Sequence, residues 1–516
     1  MLYCVLVACI GSFCNGWTIG CSNLPGQVTH ACETGSRHIA NPEFPDCIPM
    51  STSLWGFAVA SFCVGGLVGG VSGGAIQTRF GRKNTIIYNT AGWIIGGLLI
   101  GLSTNVAMFI IGRILCGLSC GVGSLTTPTY IGETSSIRSR GAMGTLNQFF
   151  IVIGILLSSV IGLPTSTVPY WRINYAIVAI PAVVQAFFMT TCVESPRWLV
   201  SGNRFDEARH VLQRLRGTEA SIQGEFFEIL EGHIGTVRAQ RVMQCSATKD
   251  LSTIETDTED NKSENATIVM ADHPQDEGLH KPMNFIEIFK DPLIRRIALV
   301  VLTHHAIQQL SGMNAVMYYS TTIFKSAFDD EMSKYMAIAT TAVNFVVTMA
   351  AVAFMDRMGR RPLLMLAEAG ACIFSVLLVI GYAFNVPALL VLSVFMYVAS
   401  FAIGIGPIPW MITSELTPTY ANSSVGALAT GVNWAMNFLI GQIFPVIFEA
   451  ISGYSFAIFA VICFLAFWFT FFMLPETKNR SIENIVRGFE RGHRRAMGHT
   501  EEPVVEGDDT VVVTQK

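Results

Sequence analysis

A run of polar side chains, QQLSGMNAVMYYS over residues 308–320, interrupts a stretch that is otherwise apolar enough to span a membrane. It contains three amides, Gln308, Gln309 and Asn314, followed by Tyr318 and Tyr319. An unsatisfied polar group in hydrocarbon is costly, so such groups persist where they line a watered cavity and bind something. Carboxamides and phenols are neutral donors and acceptors. The run therefore predicts a site for a neutral, hydroxyl-rich ligand, a description that fits a sugar.

The composition places this site in a polytopic membrane protein. The chain has 516 residues, of which 51% are hydrophobic and only 14% are charged, with a mean hydropathy of +0.48. Soluble proteins carry about 25% charged residues. The chain has no basic domain, which argues against nucleic-acid binding, and no Cys/His spacing typical of a metal site. We expect no metal and no other cofactor.

Twelve apolar stretches are long enough to cross a bilayer, in two sets of six. The predicted spans lie near residues 2–20, 53–76, 85–103, 106–130, 144–163 and 173–193, and then near 296–325, 335–355, 363–384, 387–413, 424–449 and 454–474. The fold class is an all-α membrane protein. We expect an N-terminal half (1–193), a linker with short helices and a disordered stretch (194–290), a C-terminal half (291–475) and a tail (476–516).

Basic residues set the orientation of the spans, because loops rich in Lys and Arg stay in the cytoplasm. Such residues follow the second, fourth and eighth spans, whereas the loop near 326–334 is acidic. Both termini, the linker and the tail are therefore expected in the cytoplasm. Cys32 and Cys47 fall in the first loop on the opposite side, where a disulfide between them is possible.

The two sets of six spans share landmarks about 280 residues apart, which is typical of a duplicated transporter fold. RFGRKN after the second span is matched by RMGRRP after the eighth. IGETSSIRSRG is matched by SELTPTYANSSVG, and ESPRWL by PETKNR.

With these motifs, and with GPIPW (406–410) and NWAMN (433–437), the chain resembles the sugar porters of the major facilitator superfamily, especially the facilitative glucose transporters. The loop before CIPM is similar to that of fungal members. The resemblance covers roughly residues 5–490. It implies two six-helix halves that rock about a central site and move a monosaccharide, without an enzymatic reaction.

Charged residues at the span ends form the predicted cytoplasmic gate. Opposite charges there can pair when this side closes and separate when it opens, which gives a two-state switch. The predicted gate residues are Arg79, Arg82, Arg113, Glu133, Arg140, Glu194, Asp356, Arg360, Arg361, Glu415 and Glu476, with Arg113 and Arg140 included through the resemblance. The family usually has an Arg where this chain has Asn422, so we expect a weaker network in the second half.

The resemblance also implies the sugar ligands. Gln308, Gln309 and Asn314 are expected to bind sugar hydroxyls, and the other predicted ligands are Asn344, Asn433, Trp410 and Ser159. Amides pair well with hydroxyls, and the C–H face of a sugar packs on an aromatic ring. For the amides, the alternative is hydrogen bonding that only holds helices together.

Two positions depart from the family pattern at this site. Ser159 stands where a Gln is common, and Ala402 stands where the glucose facilitators carry a Glu. Which sugar is bound therefore stays open.

Gly312 in the seventh span, and Gly404, Gly406, Pro407 and Pro409 in the tenth, predict breaks at mid-membrane. Beyond the first break, the resemblance assigns Tyr318 and Tyr319 to an extracellular lid.

Thr18 bears on coupling. Proton-linked sugar porters carry an Asp in the first span, where this chain has Thr18, and a proton relay needs a titrating group inside the membrane. We expect facilitative uniport by a monomer in the plasma membrane. The alternatives are a proton-coupled symporter, a non-transporting sugar sensor, and a transporter of a vacuolar or other internal membrane. His304 and His305 are expected to be structural.

Overall fold

The computed structural model describes residues 1–31, 44–136, 139–217, 221–236, 238–243, 283 and 285–478. These residues form a bundle of α-helices, and no strand occurs among them. The chain is a multi-pass membrane protein. Cys32, Arg138, the linker from 244 to 282 and the tail from 479 lie outside the described residues. Cys47 is disulfide-bonded.

The first half contains six spans. Their helices are Leu2–Gly20, Thr52–Phe80, Arg82–Gly101, Val106–Thr134, Arg140–Thr165, and for the sixth span Trp171–Ala176 followed by Ala179–Thr191. A short helix, Gly26–His30, follows the first span. Short helices also follow the sixth span, among them Pro196–Ser201, Phe205–Arg216 and Gln223–Ile234.

The second half repeats this arrangement with two interrupted spans. After the short helix Phe285–Lys290, the seventh span consists of Pro292–Leu310 and Met313–Phe324. The eighth and ninth spans are Asp330–Met358 and Arg360–Ala383. The tenth is Pro387–Ser400, a π-helical turn Phe401–Ile405, and Ile408–Leu416. The eleventh and twelfth are Thr419–Ile451 and Phe456–Met473, joined by the 3₁₀ turn Ser452–Ser455.

Each predicted span corresponds to an observed helix or helix pair, but they differ in hydropathy. Nine helical stretches among the described residues are long and apolar enough to cross a membrane, and one of these, Ser424–Met473, contains both the eleventh and twelfth spans. The third and seventh spans fall below that threshold. The seventh is divided at Gly312, and its longer helix, Pro292–Leu310, carries two arginines, two histidines and two glutamines.

Glycines in the left-handed region end the second and eighth spans. Gly81 has φ 87° and Gly359 has φ 91°, values that other residues rarely adopt. Each ends one helix, and the next helix begins at the following residue. The tight turns bring the arginines at 82 and 360 to the side of the bundle where the first span begins and the twelfth ends.

The bundle has two sides that differ in how the halves meet. We call the side where the first span begins the terminal side, and the opposite side the far side. The second span packs along the eleventh, the fifth along the eighth, and the first against the outer part of the seventh. At the far side, Gln442 of the eleventh span donates to the carbonyl of Ser53 in the second at 3.2 Å. Nearer the middle of the membrane, Thr430 lies against Gly70.

Neighbouring glycines of the second span face opposite halves of the protein. A Cβ at Gly65 would lie 2.0 Å from the Ile114 carbonyl oxygen in the fourth span of the same half. At Gly66, the nearest atom would be in the Trp434 ring of the other half, at 2.5 Å. The face of the second span that contains Gly65 therefore packs closely against its own half, and the face that contains Gly66 packs closely against the other half.

Candidate sugar-binding site and terminal-side networks

Four predicted ligands form one hydrogen-bonded group, which we call the amide cluster: Gln308, Gln309, Asn314 and Asn433. Nδ2 of Asn433 donates to Oε1 of Gln308 at 2.5 Å, and its Oδ1 accepts from Nε2 of Gln309 at 3.0 Å. Asn314 donates to Oε1 of Gln309. Gln308 donates to the backbone carbonyl of Gly406. The cluster thus joins the seventh, tenth and eleventh spans.

Backbone breaks position this cluster, as the sequence predicts. Gly312 has φ 97° and separates the two helices of the seventh span, so Gln308 and Asn314 come from either side of the break. In the tenth span, the π-helical turn ends before Gly406. The backbone carbonyl of Gly406 can therefore accept the hydrogen bond from the Gln308 side chain. Irregular backbone of this kind is tolerated in a membrane where it lines a cavity.

An aromatic ring lies beside the cluster. Trp410 is 41% exposed and meets the ring of His305 edge-on, with centroids 4.7 Å apart. His305 bonds through Nε2 to the hydroxyl of Thr413 at 2.9 Å, and its Nδ1 lies 3.5 Å from Nδ2 of Asn433. His305 therefore contacts both the Trp410 ring and the amide cluster.

Two predicted ligands are occupied elsewhere. The Ser159 hydroxyl is buried and donates to the carbonyl of Ile155 in its own helix at 3.1 Å, as short hydroxyl side chains commonly do. Asn344 is buried in the eighth span, where Oδ1 lies 3.5 Å from the Thr348 hydroxyl. The structure does not bring either side chain into the amide cluster.

The predicted lid tyrosines bond to the eleventh span. The Tyr318 hydroxyl donates to Oδ1 of Asn437 at 2.8 Å, and the Tyr319 hydroxyl donates to the Gly441 carbonyl at 2.9 Å. Phe62 of the first half packs edge-on against Tyr318, with centroids 5.9 Å apart. Both tyrosines are buried, so this part of the far side is closed in the structure.

Asn23, which the sequence did not single out, bonds the halves together above the lid. Its Nδ2 donates to the Ser320 hydroxyl at 2.6 Å. Its Oδ1 accepts from the backbone N–H and the hydroxyl of Thr321, at 3.2 and 3.1 Å. We call these three bonds the far-side latch.

On the terminal side, four first-half residues form a network of the predicted type. Arg82 pairs with Glu133 at 2.8 Å, and Glu133 also accepts from the Ser195 hydroxyl at 2.5 Å. Glu194 accepts from the backbone N–H groups of Arg82 and Ser195, at 2.9 and 2.8 Å. Burial raises the pKa of Glu194, while these N–H donors act in the opposite direction.

The second half repeats this network almost atom for atom. Arg360 pairs with Glu415 at 3.1 Å, and Glu415 accepts from the Thr477 hydroxyl at 2.5 Å. Glu476 accepts from the backbone N–H groups of Arg360 and Arg361, at 3.1 and 3.2 Å. Each network lies within one half, and none of the ion pairs among the described residues joins the halves on this side.

Arg113 is not part of the terminal-side networks, which corrects its predicted placement. It lies two turns from the far-side end of the fourth span, about 30 Å along the helix from Glu133. Its guanidinium donates to the carbonyls of Thr18 and Val59, at 3.0 and 2.8 Å, and lies over the Phe62 ring. The sequence already indicated this, because the fourth span begins on the far side.

The other gate residues have separate positions. Arg79 is exposed and lies over the Phe80 ring. Arg361 donates to the Phe471 carbonyl at 2.6 Å. Arg140 and Asp356 lie in the fifth and eighth spans, and their side chains are outside the described residues.

Comparison with known proteins identifies the family. The family described as "Sugar (and other) transporter" matches residues 4–243 and 236–489. The chain is a member of this sugar transporter family. Its relatives include facilitated glucose transporter member 3 of solute carrier family 2. The rabbit (Oryctolagus cuniculus) protein is 34% identical over 501 residues, covering 95% of this chain and 92% of the relative. The human protein is 33% identical over 504 residues, with the same coverage.

Solved structures show the same fold for this sugar transporter. A partially occluded inward-open conformation of the xylose transporter XylE from E. coli has a TM-score of 0.69 at 23% identity, covering 93% of this chain and 99% of that one. A second structure, of the proton:xylose symporter XylE bound to 6-bromo-6-deoxy-D-glucose, has a TM-score of 0.67 at 24% identity, covering 95% and 98%. The predicted family and fold class are thereby confirmed.

Proposed function

We propose that this sugar transporter carries a monosaccharide, a hexose such as glucose, by facilitative uniport. The observation that carries the proposal is the amide cluster, in which two spans of the second half present neutral donors and acceptors at a helix break. The half-exposed ring of Trp410 beside it suits the C–H face of a sugar. The named function of the glucose-transporting relatives agrees with this ligand chemistry.

The terminal side is proposed to be cytoplasmic, because the basic residues of the span ends lie there. On that assignment, the far-side latch and the buried lid tyrosines close the extracellular entrance. The Arg82–Glu133 and Arg360–Glu415 pairs hold each half together on the cytoplasmic side. We propose that these two networks keep the halves rigid while they rock, and that the opposite entrance opens when the latch breaks.

Uniport is favoured by the surroundings of Thr18. Its hydroxyl donates to the Cys14 carbonyl of its own helix at 2.9 Å, and its carbonyl accepts from Arg113. The two terminal nitrogens of this buried arginine thus donate to carbonyls, and its guanidinium lies over the Phe62 ring, whereas its Nε is buried without a hydrogen-bond partner. A carboxylate that could take up and release a proton with each sugar is replaced here by a hydroxyl, which does not titrate.

We propose a monomer in the plasma membrane.

Counterflow in liposomes tests the proposal. Purified protein should exchange labelled glucose or another hexose at equal pH on both sides, at the same rate with and without a protonophore. Exchange of no monosaccharide in a broad panel would contradict transport. Accumulation against a sugar gradient that the protonophore abolishes would contradict uniport.

A further inference from the structure

A carboxylic acid is buried in the second half, away from every function described above. Glu368, two turns from the terminal side of the ninth span, has no solvent exposure. Its Oε1 lies 2.9 Å from the hydroxyl of Thr470 in the twelfth span, and its Oε2 is buried without a hydrogen-bond partner. Burying an ionised carboxylate without a paired cation is expensive. Some feature of the structure must therefore stabilise the buried carboxyl group of Glu368.

Thr470 links this acid to the seventh span. The same hydroxyl lies 3.2 Å from Nε2 of His304. Nδ1 of His304 lies 2.7 Å from the carbonyl of Val300, one turn earlier in the helix. Both His304 and Thr470 are fully or almost fully buried. One threonine hydroxyl thus connects three spans, with the acid on one side and the imidazole on the other.

Counting hydrogens shows what the network needs. A carbonyl only accepts, so Nδ1 of His304 must carry the hydrogen that bonds Val300. If the imidazole is neutral, Nε2 is then an acceptor, and Thr470 must donate to it. The hydroxyl has one hydrogen, so Glu368 must in turn donate to Thr470. With both Glu368 ionised and His304 neutral, one hydrogen would face two acceptors.

The neighbouring groups favour the neutral arrangement. Cys372 lies one turn along the ninth span, and Cys463 lies two turns before Thr470 in the twelfth. On the seventh span, His305 is bonded to Thr413. Toward the terminal side, Arg360 pairs with Glu415, and Arg361 donates to the carbonyl of Phe471, the residue after Thr470. No basic side chain among the described residues pairs with Glu368.

We propose that Glu368, Thr470 and His304 form a binding site for one proton inside the membrane, with the proton on Glu368. The held proton completes a chain of hydrogen bonds that ties the ninth and twelfth spans to the seventh. His304 lies one turn from Gln308, and its neighbour His305 approaches Asn433. The site therefore braces the helix that carries the amide cluster.

The proton is held rather than carried with the sugar, so this proposal is independent of uniport. Its loss leaves one acceptor unsatisfied in a buried position, which weakens the tie between spans. Stability supplied by the network is present while Glu368 is protonated and is lost as the pH rises through proton release.

Infrared spectroscopy of the full-length protein in lipid tests the site directly. At neutral pH we expect the C=O stretch of a protonated carboxylic acid, lost in Glu368→Gln. The exposed acid Glu449 near the far-side end of the eleventh span supplies a matched control, because Glu449→Gln should leave the band unchanged. A wild-type spectrum without this band, or a band that persists in Glu368→Gln, would overturn the proposal.

Thermal unfolding across alkaline pH gives a second readout. The amide introduced by Glu368→Gln would keep a hydrogen toward Thr470 at any pH, so this variant should lose less stability than wild type as the pH rises. Parallel curves would contradict the proposal. If Glu368→Gln does not fold, Thr470→Val serves instead, because removal of the bridging hydroxyl should shift the acid C=O band of the wild type. An unshifted band would be equally contradictory.

Discussion

Single amides can serve a hydroxylated ligand because each offers a donor and an acceptor side by side. In this protein, the geometry comes from residues far apart in the chain. Gln308 and Gln309 bond Asn433, which lies on another span. The cost of polar groups in a membrane predicted the two glutamines, and the family resemblance added Asn433. The sequence could not predict which oxygen meets which nitrogen, because that depends on how the seventh and eleventh spans pack.

Removal of one amide tests the site at this scale. We expect Gln308→Ala or Asn314→Ala to weaken sugar transport about tenfold or more, because one or two hydrogen bonds to a buried ligand contribute about 1–3 kcal/mol. Counterflow with the best sugar measures the change.

The control for these variants is Asn84→Ala. Asn84 is an amide on the terminal side that donates to the carbonyl of Phe80 in the adjoining turn. Its removal should leave the apparent affinity for sugar unchanged. Normal transport by both cluster variants would show that these amides only hold helices together.

The contacts of some individual residues could not be predicted from the sequence. Ser159 was predicted from its family position, yet its hydroxyl is satisfied by its own helix. Asn23 and Glu368 were not predicted as functional residues. A lone Asn after the first span, or a lone Glu in the ninth, carries no pattern of spacing. Their partners, Thr321 and Thr470, lie roughly 300 and 100 residues away.

At the scale of helices, the sequence was more informative. Each predicted span corresponds to an observed helix or helix pair, although the third and seventh are less apolar than the rest, and glycine with proline located the breaks in the seventh and tenth. Both signals, hydropathy and these residue types, are local, since they depend on burial and on backbone angles of the residues concerned. The second-span glycines Gly65 and Gly66 show what local signals omit, because only the packed structure reveals that they face different halves.

These two glycines allow a matched pair of substitutions. Gly66→Ala places a methyl group against the Trp434 ring of the other half, so it should disfavour the conformation closed on the far side. Gly65→Ala instead meets the backbone of the fourth span, so it should chiefly lower thermal stability.

Two measurements separate the outcomes for this pair. Sugar affinity from each side of oriented liposomes reports the conformational preference, and thermal unfolding reports stability. If Gly66→Ala alters stability alone, the contact with Trp434 does not control closure.

For the whole molecule, the asymmetry between the two sides matters most. The far side is held by contacts between halves, whereas the charged networks of the terminal side lie within each half. The duplication explains the networks, since each half keeps its own copy. It does not explain the latch, because Asn23 bonds a segment beyond the break that only the second half shows.

We expect Asn23→Ala to shift the protein toward the conformation open on the far side. Loss of the latch removes up to three hydrogen bonds from the closed state only, which corresponds to an equilibrium change of about tenfold or more. The buried thiol Cys63, next to Phe62 below the lid, should then react faster with a membrane-impermeant reagent added from the far side.

The matched control is Ser326→Ala, near the same end of the seventh span. The Ser326 hydroxyl donates only to the Ile323 carbonyl of its own chain segment. Mass spectrometry identifies the modified cysteine. Equal labelling rates for Cys63 in wild type and Asn23→Ala would show that the latch does not hold this entrance closed.

The amides of the cluster already bond one another, and this has a consequence for turnover. A sugar hydroxyl that enters must exchange with an existing amide–amide bond, so the net free energy of each new bond is a small difference between two similar quantities. The amides of the cluster are hydrogen-bonded to one another both before the sugar binds and after it leaves. Such a site favours quick release over tight retention, which suits a protein that must let go of its cargo on every cycle.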